Sequence, residues 1–119
     1  MAEANTHSGG CHCGRVRFEA ATDLSTVIAC NCSICSKKGL MLTFVPDEAF
    51  RLVDGYDFLV DYQFNKHVIH HLSCGRCGVE PFARGTAPDG KAMVAVNVRC
   101  LDGVDLDAVT PTPFNGREA

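Results

Sequence analysis

Hydrophobic and polar residues alternate along this chain over short stretches, and almost none of the pattern has a helical period. Such alternation is typical of strands that bury one face. The clearest case runs from Ala92 to Arg99, where every second residue up to Val98 is alanine or valine. Shorter stretches rich in β-forming residues are Arg15 to Glu19, Thr26 to Ala29 and Leu40 to Val45. The sequence therefore predicts an all-β protein.

One hairpin and one helical turn complete the predicted elements. The stretches Asp57 to Phe64 and His67 to Leu72 flank Asn65 and Lys66, which is the spacing of a hairpin with a two-residue turn. Residues 47–52 are predicted to form a single helical turn. A chain of 119 residues is long enough for one domain of ordinary size. We place that domain at residues 8–109, after a flexible segment 1–7 and before a C-terminal tail 110–119 that carries two prolines.

Charge and composition exclude several classes of partner. The formal net charge is −3, and the lysines and arginines are scattered, so nucleic acid is not expected to bind. No apolar run approaches the roughly 18 residues that a membrane span needs. The first ten residues are polar and lack the pattern of a signal peptide. We therefore expect a cytoplasmic protein whose thiols stay reduced.

Cysteine spacing carries most of the chemical information. Of the eight cysteines, seven fall in three short motifs, CxC, CxCxxC and CxxC, and only Cys100 stands alone. Disulfides are disfavoured, because cysteines one or two residues apart pair poorly and the chain shows no secretory signal. Thiolates at these spacings select zinc, with iron as the competing metal. The motifs therefore predict metal sites, and two zinc ions per chain are expected.

Glycine suggests how the cysteines divide between the two sites. Gly14 follows the CxC motif and Gly78 follows the CxxC motif, whereas a serine follows CxCxxC. A glycine at this point lets the backbone adopt positive φ and turn its amides toward the sulfur atoms, as in a zinc knuckle. Two knuckles make one structural site with four thiolates, which are Cys11, Cys13, Cys74 and Cys77.

The remaining motif, CNCSIC, offers only three thiolates: Cys30, Cys32 and Cys35. Structural zinc sites have four protein ligands, whereas catalytic sites keep one position for water or substrate. One interpretation is an open second zinc site that accepts a substrate thiolate. The alternative is that Cys100 or one of the five histidines completes a second structural site.

Two further features bear on these sites. Lys37 and Lys38 directly follow CNCSIC and could attract a thiol that carries a carboxylate, although a solvated turn would have the same sequence. Cys100 follows an apolar strand and fits a small buried hydrophobic residue. Asn97, a polar residue within that strand, is expected to bond to the backbone.

With these residues assembled, the chain resembles the family of glutathione-dependent formaldehyde-activating enzymes, which also includes centromere protein V. The resemblance rests on four segments in order, SGGCHCGRVRFEA, CNCSICSKKGLMLTFVP, HHLSCGRCGVEPF and VNVRCLDGVDL. It implies a zinc-stapled antiparallel β sandwich. It also implies the same division of ligands, with Cys30, Cys32 and Cys35 at the catalytic zinc. Where the family often has phenylalanine before the CxxC motif, this chain has Ser73.

The resemblance implies a carbon–sulfur lyase activity that joins formaldehyde to the thiol of glutathione, giving S-hydroxymethylglutathione. The hypothesis from sequence is therefore a zinc-dependent enzyme that acts on a small thiol adduct, with glutathione as the first substrate to test. Two alternatives remain. One is a non-catalytic zinc-stabilised binding module, as in a related fold that serves as a nucleotide-release chaperone for Rab GTPases. The other is a thiol or metal sensor that loses one zinc on mild oxidation.

Overall fold

A computed structural model describes residues 5–63, 69–87 and 89–115 of the chain, and the described part consists mainly of two β-sheets. The smaller sheet has the order β1-β2-β5 and is antiparallel throughout. Its strands are β1 (Asn5–Gly10), β2 (Arg17–Thr22) and β5 (Phe50–Asp54). The all-β prediction is confirmed.

The larger sheet has seven strands in the order β10-β3-β4-β9-β8-β7-β6. All of its pairs are antiparallel except β10 with β3. Its strands are β3 (Ile28–Cys30), β4 (Leu42–Pro46), β6 (Leu59–Tyr62), β7 (His70–Cys74), β8 (Phe82–Thr86), β9 (Ala92–Asn97) and β10 (Thr112–Phe114). The long alternating stretch that begins at Ala92 thus forms a central strand, with Val94 and Val96 fully buried.

The two sheets bury a common core. Phe18 and Phe50 of the smaller sheet stack with ring centroids 5.3 Å apart, and Phe82 of the larger sheet lies 4.6 Å from Phe50 and 6.0 Å from Phe18. Aromatic groups at such separations attract each other beyond the area they bury. This cluster packs the sheets face to face, as the sandwich prediction requires.

The described part has one α-helix, α1 (Ser33–Lys38), and the strand pattern did not predict it. Cys32 is its N-cap, and Gly39 ends it in the left-handed conformation with φ 65°. A six-residue helix is too short to be stable by itself, so α1 depends on what it packs against. No described helix is long and apolar enough to cross a membrane.

Several local predictions need correction. In the expected hairpin, β6 pairs with β7, but Tyr62 pairs with His71, whereas a turn at Asn65 and Lys66 would pair Tyr62 with Ile69. The predicted turn itself lies outside the described residues. The expected helical turn at 47–52 is a 3-10 turn over Asp47–Ala49, after which the chain enters β5.

Strands also occupy parts of the terminal segments. β1 includes Asn5, Thr6 and His7, which pair with β2, and β10 pairs with β3 at Thr112 to Phe114. These pairs lie within the segments 1–7 and 110–119 that the sequence assigned to a flexible start and a tail. The division of the chain at residues 8 and 109 stays a prediction.

Candidate metal centres

Four cysteines meet where two turns of different sheets approach each other. Cys11 and Cys13 lie between β1 and β2, while Cys74 ends β7 and Cys77 lies in the turn that follows. Their four Sγ atoms all lie within 4.8 Å of one another. We call this group the four-cysteine cluster. It connects the smaller sheet to the larger one.

The spacing of these sulfur atoms fits a tetrahedral metal ion. The Sγ atoms of Cys11 and Cys13 are 3.6 Å apart, and those of Cys13 and Cys74 are 3.7 Å apart. Sulfur atoms bound to one zinc by bonds of about 2.3 Å lie about 3.8 Å apart in a tetrahedron. None of the eight cysteines forms a disulfide in this structure. The four-cysteine cluster could therefore hold a metal ion.

The backbone around the cluster forms two matching turns. Gly14 and Gly78 both have φ 83°, and no atom lies near the position that a Cβ would occupy at either residue. Glycine is needed here for conformation rather than for space, as predicted. The amide of Val16 donates to Cys11 Sγ at 3.3 Å, and the amide of Arg76 donates to Cys74 Sγ at 3.4 Å. Such donors stabilise thiolates, the form that binds metal.

Three cysteines form a second group at α1. Cys30 ends β3, Cys32 caps α1 and Cys35 lies within it, and their Sγ atoms also lie within 4.8 Å of one another. We call this the three-cysteine cluster. Across residues 5–63, 69–87 and 89–115, no histidine, carboxylate or further cysteine joins it. It too could hold a metal ion, with three sulfur ligands from the protein.

Exposure differs among the three thiols. Cys35 is buried against Leu40 and Leu42, whereas Cys30 and Cys32 are partly exposed. Burial, with Cys32 close by, raises the pKa of Cys35. Burial also opposes ionisation of Cys32, but hydrogen bonds with the Cys35 amide, with the thiols of Cys35 and Cys30 and with the Ile34 amide together outweigh it, and the pKa of Cys32 is lowered. Solvent therefore reaches the cluster from the side of Cys30 and Cys32.

Comparison with known proteins assigns the family. The family model described as "Glutathione-dependent formaldehyde-activating enzyme" matches residues 6–113. The chain belongs to this family. In three dimensions it is similar to the crystal structure of a Rhodobacter sphaeroides protein, with a TM-score of 0.81 and 27% sequence identity over 91% of this chain and 99% of that one. The resemblance read from the cysteine motifs is confirmed.

A buried ion-pair network lies between the two clusters in this member of the glutathione-dependent formaldehyde-activating family. Glu80 is almost fully buried and accepts a hydrogen bond from Lys38 Nζ at 2.7 Å. Its other carboxylate oxygen is 3.1 Å from Nδ1 of the buried His71. Lys38 also donates to Ser73 Oγ at 2.9 Å. A buried carboxylate is tolerated only when it is paired and hydrogen-bonded, and Glu80 meets both conditions.

This network attaches the end of α1 to the larger sheet. Lys38 is the last residue of the helix, and Ser73 lies on β7 beside Cys74. A second contact holds the same end, because Arg99 Nε donates to the carbonyl of Gly39 at 3.2 Å. Ser73 thus takes part in holding the end of the helix that carries Cys35.

The other sequence candidates lie away from the three-cysteine cluster. Cys100 is next to Glu80, with its Sγ 3.9 Å from the Glu80 carbonyl, and burial, with Cys11 and Cys77 nearby, raises the pKa of Cys100 to about 12. His70 pairs with Asp61, and His67 lies outside the described residues. None of the described histidines joins either cysteine cluster.

Asn97 bonds to the backbone as expected. Its amide nitrogen donates to the Glu80 carbonyl at 3.0 Å, and its side-chain oxygen accepts from the Arg99 amide at 3.1 Å. Glu80 is the functional candidate that the sequence interpretation missed. A single acid before a proline gives no periodic signal, and only the buried position of the side chain reveals its role.

Proposed function

We propose that the protein is a zinc-dependent enzyme that joins formaldehyde to the thiol of glutathione and cleaves the same bond in reverse, a carbon–sulfur lyase activity. The observation that carries the proposal is the three-cysteine cluster: three sulfur ligands, of which Cys30 and Cys32 are partly exposed, with no fourth protein ligand among the described residues. Family membership supports the choice of substrates, since the family is described as glutathione-dependent and formaldehyde-activating.

The two clusters take different parts in this proposal. Cys11, Cys13, Cys74 and Cys77 are the ligands of a structural zinc, and Cys30, Cys32 and Cys35 are the ligands of the catalytic zinc. Bound zinc would supply a Lewis acid that lowers the pKa of a substrate thiol and fixes its position. The chain itself holds the three sulfur atoms. It buries Cys35 and leaves Cys30 and Cys32 partly exposed on the side where the substrate would bind.

The reaction forms one bond and moves one proton. The thiolate sulfur attacks the carbonyl carbon of formaldehyde, a carbon–sulfur bond forms, and the carbonyl oxygen takes up the proton that the thiol lost. Reversal breaks the carbon–sulfur bond and returns both reactants. No oxidant or reductant is needed.

The test is the exchange of formaldehyde with S-hydroxymethylglutathione, followed by NMR with carbon-13 formaldehyde. We expect the wild-type protein to raise the exchange rate above the uncatalysed rate, and Cys32→Ser to abolish the increase. Glu48→Gln serves as the control, because Glu48 is exposed and belongs to neither cluster. An exchange rate that is the same with and without zinc-loaded protein would contradict the proposal.

A binding module is the second candidate, and one feature of the fold favours it. Strand β6 lies at the edge of the larger sheet, and Val60 and Tyr62 on it are exposed. A strand at the edge of a sheet that carries exposed apolar side chains can accept a partner strand. Failure of the exchange assay together with a fully occupied, four-ligand second site would favour this candidate.

The cytoplasmic location is part of the main proposal, because glutathione is abundant there.

A further inference from the structure

A cleft lies between the four-cysteine cluster and the end of α1. Its volume is about 660 Å³, which is within the usual range of small-molecule sites. Cys11 and Gly78 line it on the side of the four-cysteine cluster, while Lys38 and Leu40 line it on the side of α1. Arg99 lies along the same cleft. Neither cysteine cluster explains why this space is present.

The cleft adjoins the three-cysteine cluster. Leu40, which lines the cleft, packs with the buried Cys35, and its amide donates to the Cys35 carbonyl at 3.2 Å. Arg99 bonds to the carbonyl of Gly39, four residues after Cys35. Arg99 thus lies at the C-terminal end of the helix that carries Cys35.

The charges along the cleft leave one cation available. Glu80 is paired with Lys38, and Asp102 is paired with Arg17 from outside the cleft. Arg99 has no carboxylate within ion-pair distance in the part of the chain that the structure describes. Its Nε bonds to Gly39, while its terminal nitrogens make no hydrogen bond to a described residue. Among the charged residues of the cleft, Arg99 is therefore the one placed to bind an anion.

Lys38 is less suited to that role, although it stands closer in sequence to the cysteines. Its ammonium group already bonds to Glu80 and Ser73, and an added anion would have to compete with a buried carboxylate. Arginine also presents parallel N–H groups that match the two oxygens of a carboxylate. We therefore expect Arg99, rather than one of the lysines that follow CNCSIC, to bind the substrate carboxylate.

We propose that this cleft binds the terminal carboxylate of a peptide thiol, with Arg99 as the binding residue, while the thiol of the same ligand lies at the three-cysteine cluster. The placement of the thiol rests on the proposed function, whereas the placement of the carboxylate rests only on the cleft and its charges. Arg99 would thus select a thiol that carries a carboxylate over a simple alkyl thiol.

The experiment uses two readouts, one of which needs no activity. Calorimetry with S-methylglutathione, which has no free thiol, measures binding of the peptide part directly. Formaldehyde exchange with glutathione and with cysteamine, a thiol without a carboxylate, measures how the carboxylate contributes. Arg99→Gln should weaken S-methylglutathione binding about tenfold and raise KM for glutathione by a similar factor, with kcat and the cysteamine reaction little changed. Arg99→Lys should recover part of the loss.

Lys37→Gln is the matched control, since Lys37 is an exposed cation beside Lys38 that does not line the cleft. It should leave both readouts unchanged. Melting temperature and zinc content of each variant check that the contact of Arg99 with Gly39 is not the cause of the effect.

The outcomes separate this inference from the proposed function. Arg99-dependent binding of S-methylglutathione without any exchange activity would support the carboxylate site and contradict the proposed reaction. Exchange activity in which Arg99→Gln affects glutathione and cysteamine equally would support the reaction and overturn the carboxylate site. Binding of S-methylglutathione that Arg99→Gln leaves unchanged would also overturn it.

Discussion

The two cysteine clusters differ in how far apart in the sequence the residues that they bring together lie. The four-cysteine cluster joins residues 61 positions apart, Cys13 and Cys74, and it connects two sheets. The three-cysteine cluster lies within six consecutive residues and connects nothing distant. A link that closes a long loop removes much chain entropy from the unfolded state, whereas a local link removes little. The difference supports the proposed division, in which the first cluster holds the fold together and the second is available for chemistry.

The largest effect is expected from breaking the four-cysteine cluster. Cys77→Ser should unfold or aggregate the protein, because metal-coupled folding contributes on the order of 10 kcal/mol at such sites, comparable with the whole stability of a small domain. Cys11→Ser should behave in the same way. Circular dichroism and the yield of soluble protein measure the effect, with Cys100→Ser as the control. A Cys77→Ser protein that melts within a few degrees of wild type would remove the structural assignment.

Breaking the three-cysteine cluster should cost activity rather than fold. Cys32→Ser should stay folded, lose the second metal and reduce formaldehyde exchange to the uncatalysed rate. Metal content, melting temperature and exchange rate are measured on the same preparation. Equal decreases in melting temperature for Cys32→Ser and Cys77→Ser would contradict the different roles of the two clusters.

The sequence predicts those features of the two clusters that are decided by residues close together in the chain. The knuckle glycines, Gly14 and Gly78, are local, and both have the positive φ expected of them. The buried face of β9 is likewise visible as alternation. These features could be predicted because the residues that decide them are neighbours in the chain.

Features that depend on distant partners were missed. Helix α1 has only six residues, which is too few for a helical period, and it is held by Lys38 and Arg99 through contacts with β7, Glu80 and Gly39. Strand β1 reads NTHSGG, a polar stretch that becomes a strand only because β2 pairs with all of it. Both α1 and β1 depend on contacts with residues distant in the sequence, and no local sequence pattern predicts such contacts.

A smaller effect is expected from Glu80, which lies between the clusters. Glu80→Gln removes the charge that pairs with Lys38 and faces His71, and because the remaining Lys38 is one-third exposed and can be solvated, the loss should cost about 2 kcal/mol of unfolding free energy. Urea denaturation measures the change. Glu48→Gln is the control, because Glu48 is exposed and should alter stability by less than about 0.5 kcal/mol. Equal changes for the two variants would contradict a role for the network in joining the clusters.

The smallest effects compare single glycines at the two clusters. Gly14→Ala and Gly39→Ala each place a side chain at positive φ without a clash, so each should cost about 1 kcal/mol. At Gly14 the cost should appear in the free energy of unfolding. At Gly39 it should appear as weaker binding of the second metal, measured by chelator competition. The reverse assignment of the two losses would contradict the division of roles.

The central claim is that one metal holds the fold and another, with three protein ligands, is available to substrate. Its most direct test is the zinc and iron content per chain, measured by mass spectrometry on untagged protein prepared without chelator, together with a count of free thiols. We predict two zinc ions per chain, of which a mild chelator removes one while the protein stays folded. One tightly held zinc with three or more free thiols would contradict the claim and leave only the four-cysteine cluster as a metal site.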